Sequence, residues 1–192
     1  MNEPTVWSRS ARLFHWLIAA LILVQGAVGL IMGELPKSPD VIPVYTFHKS
    51  LGLTILLLAV FRLGFRLLHK RPDPLPMPGW QHGLSRITHV ALYLLLFAVP
   101  LSGWIMDSAS GLRPLYWWWV LRLPSITGGP SHDLKEFAEE SHEILFWVLV
   151  AVAALHIAGA LKHHFMDRDD TLRRMLPGAR ERVSNDSQED QA

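Results

Sequence analysis

Four apolar stretches, Leu13–Met32, Leu51–Leu68, Val90–Met106 and Ile144–Leu161, are separated by polar, charged or proline-rich connections. A helix needs about 20 mostly apolar residues to cross the hydrocarbon of a bilayer, slightly fewer where flanking side chains snorkel, and each stretch reaches that length with its flanks. The pattern predicts an all-α protein, an integral membrane four-helix bundle with helices at about 10–33, 46–69, 82–107 and 136–165. The first stretch follows Arg9 and Arg12 as the core of a secretory leader would, but it is too long for one and is read as a retained helix.

The connections differ in character. Gly33, Pro36, Pro39 and Pro43 mark residues 33–45 as a loop, and residues 70–80 hold four prolines, too many for a continuing helix. The segment 107–135 is the longest connection, and its run Tyr116-Trp117-Trp118-Trp119 suits an aromatic belt at a membrane surface. After His163-His164 a short surface helix is expected through Met175, ended by Pro177-Gly178. Residues 179–192 are polar and are expected to be a disordered tail, which leaves 1–178 as a single membrane domain.

Charge adds direction to this picture. The formal net charge is +1, but the basic residues are unevenly placed: Arg9 and Arg12 before the first helix, Arg62, Arg66, Lys70 and Arg71 closing the second, Lys162, Arg168, Arg173 and Arg174 after the fourth. The positive-inside rule puts those ends, and both termini, in the cytoplasm, with Glu34, Asp40, Asp107, Asp133, Glu136, Glu139 and Glu140 facing outward. No nucleic-acid partner is expected; the surroundings are membrane lipid. The chain has no cysteine, which excludes disulfides, iron–sulfur clusters, covalent c-type haem and thiolate ligation. A metal would have to be held by histidine or carboxylate.

The histidines carry the candidate chemistry. His142 and His156 are 14 residues apart, which returns nearly to the same helix face and separates them by about 21 Å. His48 begins the second helix at the outer side and His15 begins the first at the inner side. Depth then pairs His48 with His142 and His15 with His156, as axial ligands of an outer and an inner haem b. Two imidazoles saturate an iron and suit it to electron transfer. A tetrahedral zinc site would want three or four ligands at one depth. A single membrane histidine can simply hydrogen-bond a neighbouring helix, but four at paired depths favour ligation.

His89 begins the third helix near the inner pair, where quinone ligand, proton donor and interhelical hydrogen bond all stay open. His163 and His164 either carry protons at that surface or cap the helix end. His69, His82 and His132 lie in or beside loops. Arg62 and Arg66, one turn apart, could pair with haem propionates or serve only as snorkelling topological charges. Gly26, Gly29, Gly52 and Gly103 offer places of close approach.

Several segments carry a family likeness: Arg12-Leu13-Phe14-His15-Trp16-Leu17, Phe47-His48-Lys49-Ser50-Leu51-Gly52, Thr88-His89-Val90-Ala91-Leu92-Tyr93 with Pro100 after it, Ser141-His142-Glu143, Leu155-His156, Lys162-His163-His164-Phe165, and the run from Asp170 to Pro177. Over residues 7–178 the chain resembles the bacterial di-haem cytochrome b561 family, most of all its members that oxidise superoxide. The resemblance implies two haems b in a four-helix bundle, with ligands matching His15, His48, His142 and His156. It also implies an enzyme of the bacterial inner membrane that takes electrons from superoxide at the periplasmic side, releases oxygen and reduces ubiquinone near the inner haem.

On that footing Lys49, beside His48, would attract the superoxide anion, helped by Lys37, Arg113, Arg122 and Lys135. His82, Arg86, His89, His163 and His164 would bind quinone or relay its protons. No protein partner is required. The alternative is a cytochrome b subunit that relays electrons between a partner dehydrogenase or hydrogenase and the quinone pool. A bundle without redox function is a third reading.

Overall fold

A computed structural model describes residues 6–36, 38–70 and 72–179. Four long helices dominate it: α1 (Arg9–Glu34), α2 (Ile42–Leu68), α3 (Gly79–Ser110) and α4 (His132–Lys162). With their flanking turns they are 26 to 36 residues long, and all four are apolar enough to cross a membrane. Consecutive helices pack against one another, α1 on α2, α2 on α3 and α3 on α4. Leu23, Leu30, Phe61, Leu94 and Ile157 are exposed on the outside of the bundle. At about 25 cal/mol per Å² such faces are unfavourable in water, and they belong against lipid tails. The inward side chains Ile18, Leu51, Ile55, Ala59 and Leu96 form the core, with Phe47, Phe97 and Trp118 packed on it.

All four helices start before the residues expected, while α2 and α4 stop short of their expected ends. Pro39 and Pro43 do not break the chain. Pro39 opens a 3₁₀ turn, Pro39–Val41, and Pro43 sits in the first turn of α2, where an amide N–H would have no helical partner anyway. The loop expected at 33–45 therefore shrinks to the few residues between Glu34 and Pro39. Similarly, α3 starts straight after Pro78, and α4 starts at His132, where the Ser131 hydroxyl accepts from the Leu134 amide at 3.4 Å.

Two further segments depart from expectation. The connection after α3 contains a small antiparallel hairpin, β1 (Tyr116–Trp117) with β2 (Leu121–Arg122), an addition to an otherwise all-helical chain. The surface helix expected through Met175 is instead a π turn, His163–Asp167, a left-handed Arg168 and a 3₁₀ turn, Arg173–Met175. The predicted tail beyond Ala179, along with Lys37 and Arg71, lies outside the described residues.

The C-terminal segment clasps the start of α1. Buried Arg12 donates through Nη1 to the carbonyls of Leu176 at 3.0 Å and Ala179 at 2.8 Å, and Trp16 Nε1 donates to the Met175 carbonyl at 2.8 Å. Both ends of the described chain thus meet at one end of the bundle, here the terminal end. The β1–β2 hairpin marks the distal end.

Candidate functional site

The fold brings four of the histidines together in two pairs. At the distal end the rings of His48 and His142 have centroids 6.3 Å apart at an angle of 75°. At the terminal end those of His15 and His156 are 6.1 Å apart at 76°. Metal–imidazole bonds are about 2 Å long, so an iron between two rings needs centroids roughly 6 Å apart. Both pairs offer that span, and each could hold a haem iron.

The distal pair is set by close packing and one acceptor. A methyl group on Gly29 would lie 3.1 Å from His48 Cε1, and one on Gly103 would lie 3.1 Å from His142 Cε1. The two glycines leave room for the rings. His142 Nδ1 is 2.9 Å from the Val99 carbonyl, which also accepts from the Ser102 hydroxyl at 2.8 Å, and 3.0 Å from that hydroxyl itself. Donation to that carbonyl puts the ring proton on Nδ1 and leaves Nε2 with its lone pair free for a metal. His48 Nδ1 is buried without a hydrogen-bond partner, and so is Oε1 of Gln25, whose Nε2 donates to the His48 carbonyl at 2.9 Å. Orphaned buried polar atoms cost about 1–3 kcal/mol each, so they mark a place built for something besides packing.

The terminal pair has different company. His89 stands 5.2 Å from His156, ring to ring, so three imidazoles meet here. Arg62 donates to the Ala11 carbonyl at 2.9 Å and sets Nη2 3.4 Å from His15 Nδ1. Arg66 lies over the Tyr93 ring at 5.3 Å.

At the distal end the ammonium of Lys49, the candidate for attracting superoxide, is paired with the buried carboxylate of Asp107, an acid that weakens that role. Asp107 lies inside α3, not in an outer loop as its charge suggested. Of the other candidate cations there, Lys135 is held by Glu139 at 2.8 Å, while Arg113 and Arg122 are exposed. The tryptophan run is not simply a surface belt either. Trp117 and Trp118 both donate their indole N–H to the Thr54 hydroxyl, at 3.1 and 3.0 Å, and the Trp118 amide donates to the buried Ser50 hydroxyl at 2.9 Å. Only Trp119 of the three tryptophans is exposed. Trp118 and Trp119 reach this arrangement through left-handed backbone, φ +49° and +61°.

At the terminal end the five residues expected to serve quinone are divided. His82 and Arg86 line an open cleft of about 570 Å³ with Pro74, Leu75 and Met77. His163 lines a second cleft of about 240 Å³ with Met77, Gln81 and Asp169, so Met77 borders both. His89 lies inside against His156, and His164 buries an unpartnered Nδ1. His163 Nδ1 is 2.7 Å from Asp169 and 3.2 Å from Asp167, and Lys162 also bonds Asp167, at 2.6 Å. Burial alone would lift the Asp169 carboxyl, but contacts from Thr171 and His163 outweigh it and hold it below its ordinary value. Gln25, Ser102, Asp107 and Thr54 had no signature in sequence, since each matters through a partner on another helix or loop.

Four helices apolar enough to cross a membrane and two imidazole pairs at opposite ends of the bundle are what a membrane cytochrome of the b type requires. The chain matches the profile of prokaryotic cytochrome b561 over residues 6–178 and belongs to that family, multi-pass bacterial membrane proteins that carry haem b and transfer electrons. It is 35% identical over 185 residues to cytochrome b561 homolog 2 of Escherichia coli (strain K12), a match covering 91% of this chain and 93% of that one. Cytochrome b561 homolog 1 of the same organism is 28% identical over 89% of this chain and 97% of its own length. A Yersinia pestis protein named probable superoxide oxidase CybB is 29% identical over 86% of this chain and 93% of its own.

Proposed function

We propose that this chain is a superoxide:ubiquinone oxidoreductase of the bacterial inner membrane, with one haem b held by His48 and His142 and a second by His15 and His156. The observation that carries this reading is the pair of ring spacings, 6.3 and 6.1 Å, at opposite ends of one bundle. The name of the Yersinia pestis relative supports the substrate. Arg9, Arg12, Arg62, Arg66, Lys70, Lys162, Arg168, Arg173 and Arg174 all fall toward the terminal end, so that end and both termini face the cytoplasm and the distal end faces the periplasm.

The haems supply one-electron carriers at two depths. The net reaction is 2 O₂•⁻ + Q + 2 H⁺ → 2 O₂ + QH₂. Among the described residues of the distal end, Arg113 and Arg122 are exposed cations that draw the anion toward His48 and His142, with Lys49 contributing less because Asp107 neutralises it. At the terminal end the quinone head group takes the clefts beside Met77, where Gln81, His82 and Arg86 offer hydrogen-bond donors. His163 with Asp169 passes protons from the surface, and His89 stands between α3 and the inner pair to relay them.

The neutralised Lys49 favours a second reading, a relay fed by a partner dehydrogenase or hydrogenase, because it weakens the attraction for an anion. Purified protein given a superoxide source and a soluble ubiquinone separates the two. The oxidase reduces its haems and forms quinol unaided; a chain that does neither is the partner-fed relay.

A further inference from the structure

We infer that Arg62 makes the inner haem the stronger electron acceptor of the two, so that an electron entering at the distal end comes to rest at the terminal end. The inference rests on the two-haem reading above and concerns Arg62, which that reading uses only as a topological charge or a partner for haem propionates.

Arg62 lies in α2 within the membrane-spanning part of the bundle and is only partly accessible. Its contacts include the Ala11 carbonyl at 2.9 Å, His15 Nδ1 at 3.4 Å and a side-chain hydrogen bond with Tyr93, none of which carries a full negative charge. Among the described residues neither Arg62 nor Arg66, one turn further on, is ion-paired with a carboxylate. An arginine cannot shed its proton to escape that position, so the charge is fixed. At 3.4 Å the contact with His15 is too long for a strong hydrogen bond, and its effect is Coulombic.

The distal end reverses these conditions. Lys49, next to His48, is cancelled by Asp107. His142 donates a hydrogen bond from Nδ1–H to the Val99 carbonyl at 2.9 Å, which makes the ring a better electron donor to any metal it binds and favours the oxidised iron. Reduction lowers the positive charge on an iron by one. An uncompensated cation in a low-dielectric setting therefore favours the reduced state of the haem beside it, while a neutralised one does not. Both differences act in the same direction. The transfer involves one electron, lost by the outer iron and gained by the inner, with no proton or further reactant.

The test is an equilibrium redox titration of the purified full-length protein, following the haem b absorption bands after haem has been counted per chain. His48→Ala, which leaves the inner haem alone, assigns the midpoints. In the two-haem protein the inner midpoint is expected above the outer one. Arg62→Gln should lower the inner midpoint by about 59 mV or more, a tenfold change in how one electron is shared, and leave the outer in place. Arg62→Lys, which keeps the charge, should retain most of the wild-type value.

A two-haem Arg62→Gln protein with both midpoints unmoved overturns the inference, as does an equal drop in Arg62→Lys. If Arg62→Gln sheds its haem, Arg62→Met, which removes the charge and keeps most of the side-chain length, decides by the same rule: a lowered inner midpoint supports the electrostatic bias and an unmoved one overturns it. A wild-type chain with fewer than two haems sinks the two-haem reading itself, and the inference falls with it.

Discussion

At the distal end, His48 and His142 rest against glycines and one ring is fastened to a backbone carbonyl; at the terminal end, His15 and His156 face a guanidinium and a third imidazole. The first arrangement fixes where rings can go. The second fixes the electrical surroundings. One bundle thus holds two pairs of similar spacing by different means, and a substitution should do different damage at each end. Shape should matter most near Gly103, and charge near Arg62.

The largest effect expected is loss of a ligand. His48→Ala should cut haem content from two per chain to one, His15→Ala should remove the other, and difference spectra of the two variants should add up to the wild type. Loss of both haems from either variant would mean that the ends are not independent. Gly103→Ala comes next, because its methyl meets the His142 ring at 3.1 Å. Overpacking of this kind costs about 1–3 kcal/mol, so haem at the distal site should be retained about 5 to 150 times less well. Gly64→Ala, in a place with nothing within 4 Å, is the control and should leave haem content unchanged.

Thr54→Val tests the cap over the distal end. Two indole N–H groups lose their shared acceptor, at about 1–3 kcal/mol, which should appear as a lower melting temperature and red-shifted tryptophan emission. An unchanged melting temperature would show that the hairpin is held by packing alone. The smallest effect expected is from Asp107→Asn. Freeing Lys49 should raise the rate of haem reduction by superoxide a few-fold at low ionic strength, and the gain should vanish near 1 M salt, where the screening length is about 3 Å. A salt-independent gain would point away from steering.

What the sequence could reveal depended on how far apart the interacting residues lie. The four spans were legible because a bilayer demands a minimum apolar length, and the spacing of His142 and His156 on one helix was enough to sort the histidines by depth. Helix ends were less legible. Pro39 and Pro43 read as loop residues, yet proline is tolerated in a first turn, and only the conformation of the next few residues separates the two cases. The fold of Trp118 and Trp119 was hidden because left-handed backbone is usually announced by glycine, and here tryptophan takes it. Asp107 read as a loop acid because its partner, Lys49, is 58 residues away and on another helix. His89 was placed at the right depth, but its contact with His156 depends on how α3 and α4 are rotated about their axes, which periodicity does not fix.

The clasp between Arg12, Trp16 and the segment Met175–Ala179 has a consequence for how the protein is made. Its two halves are the first and last described parts of the chain to leave the ribosome, and His142 and His156 both arrive on the last helix. A nascent chain with three helices inserted owns only half of each proposed ligand pair and an unfastened α1. In the proposed arrangement, haem capture therefore belongs to the period after synthesis, and a chain truncated before α4 would stay colourless in the membrane.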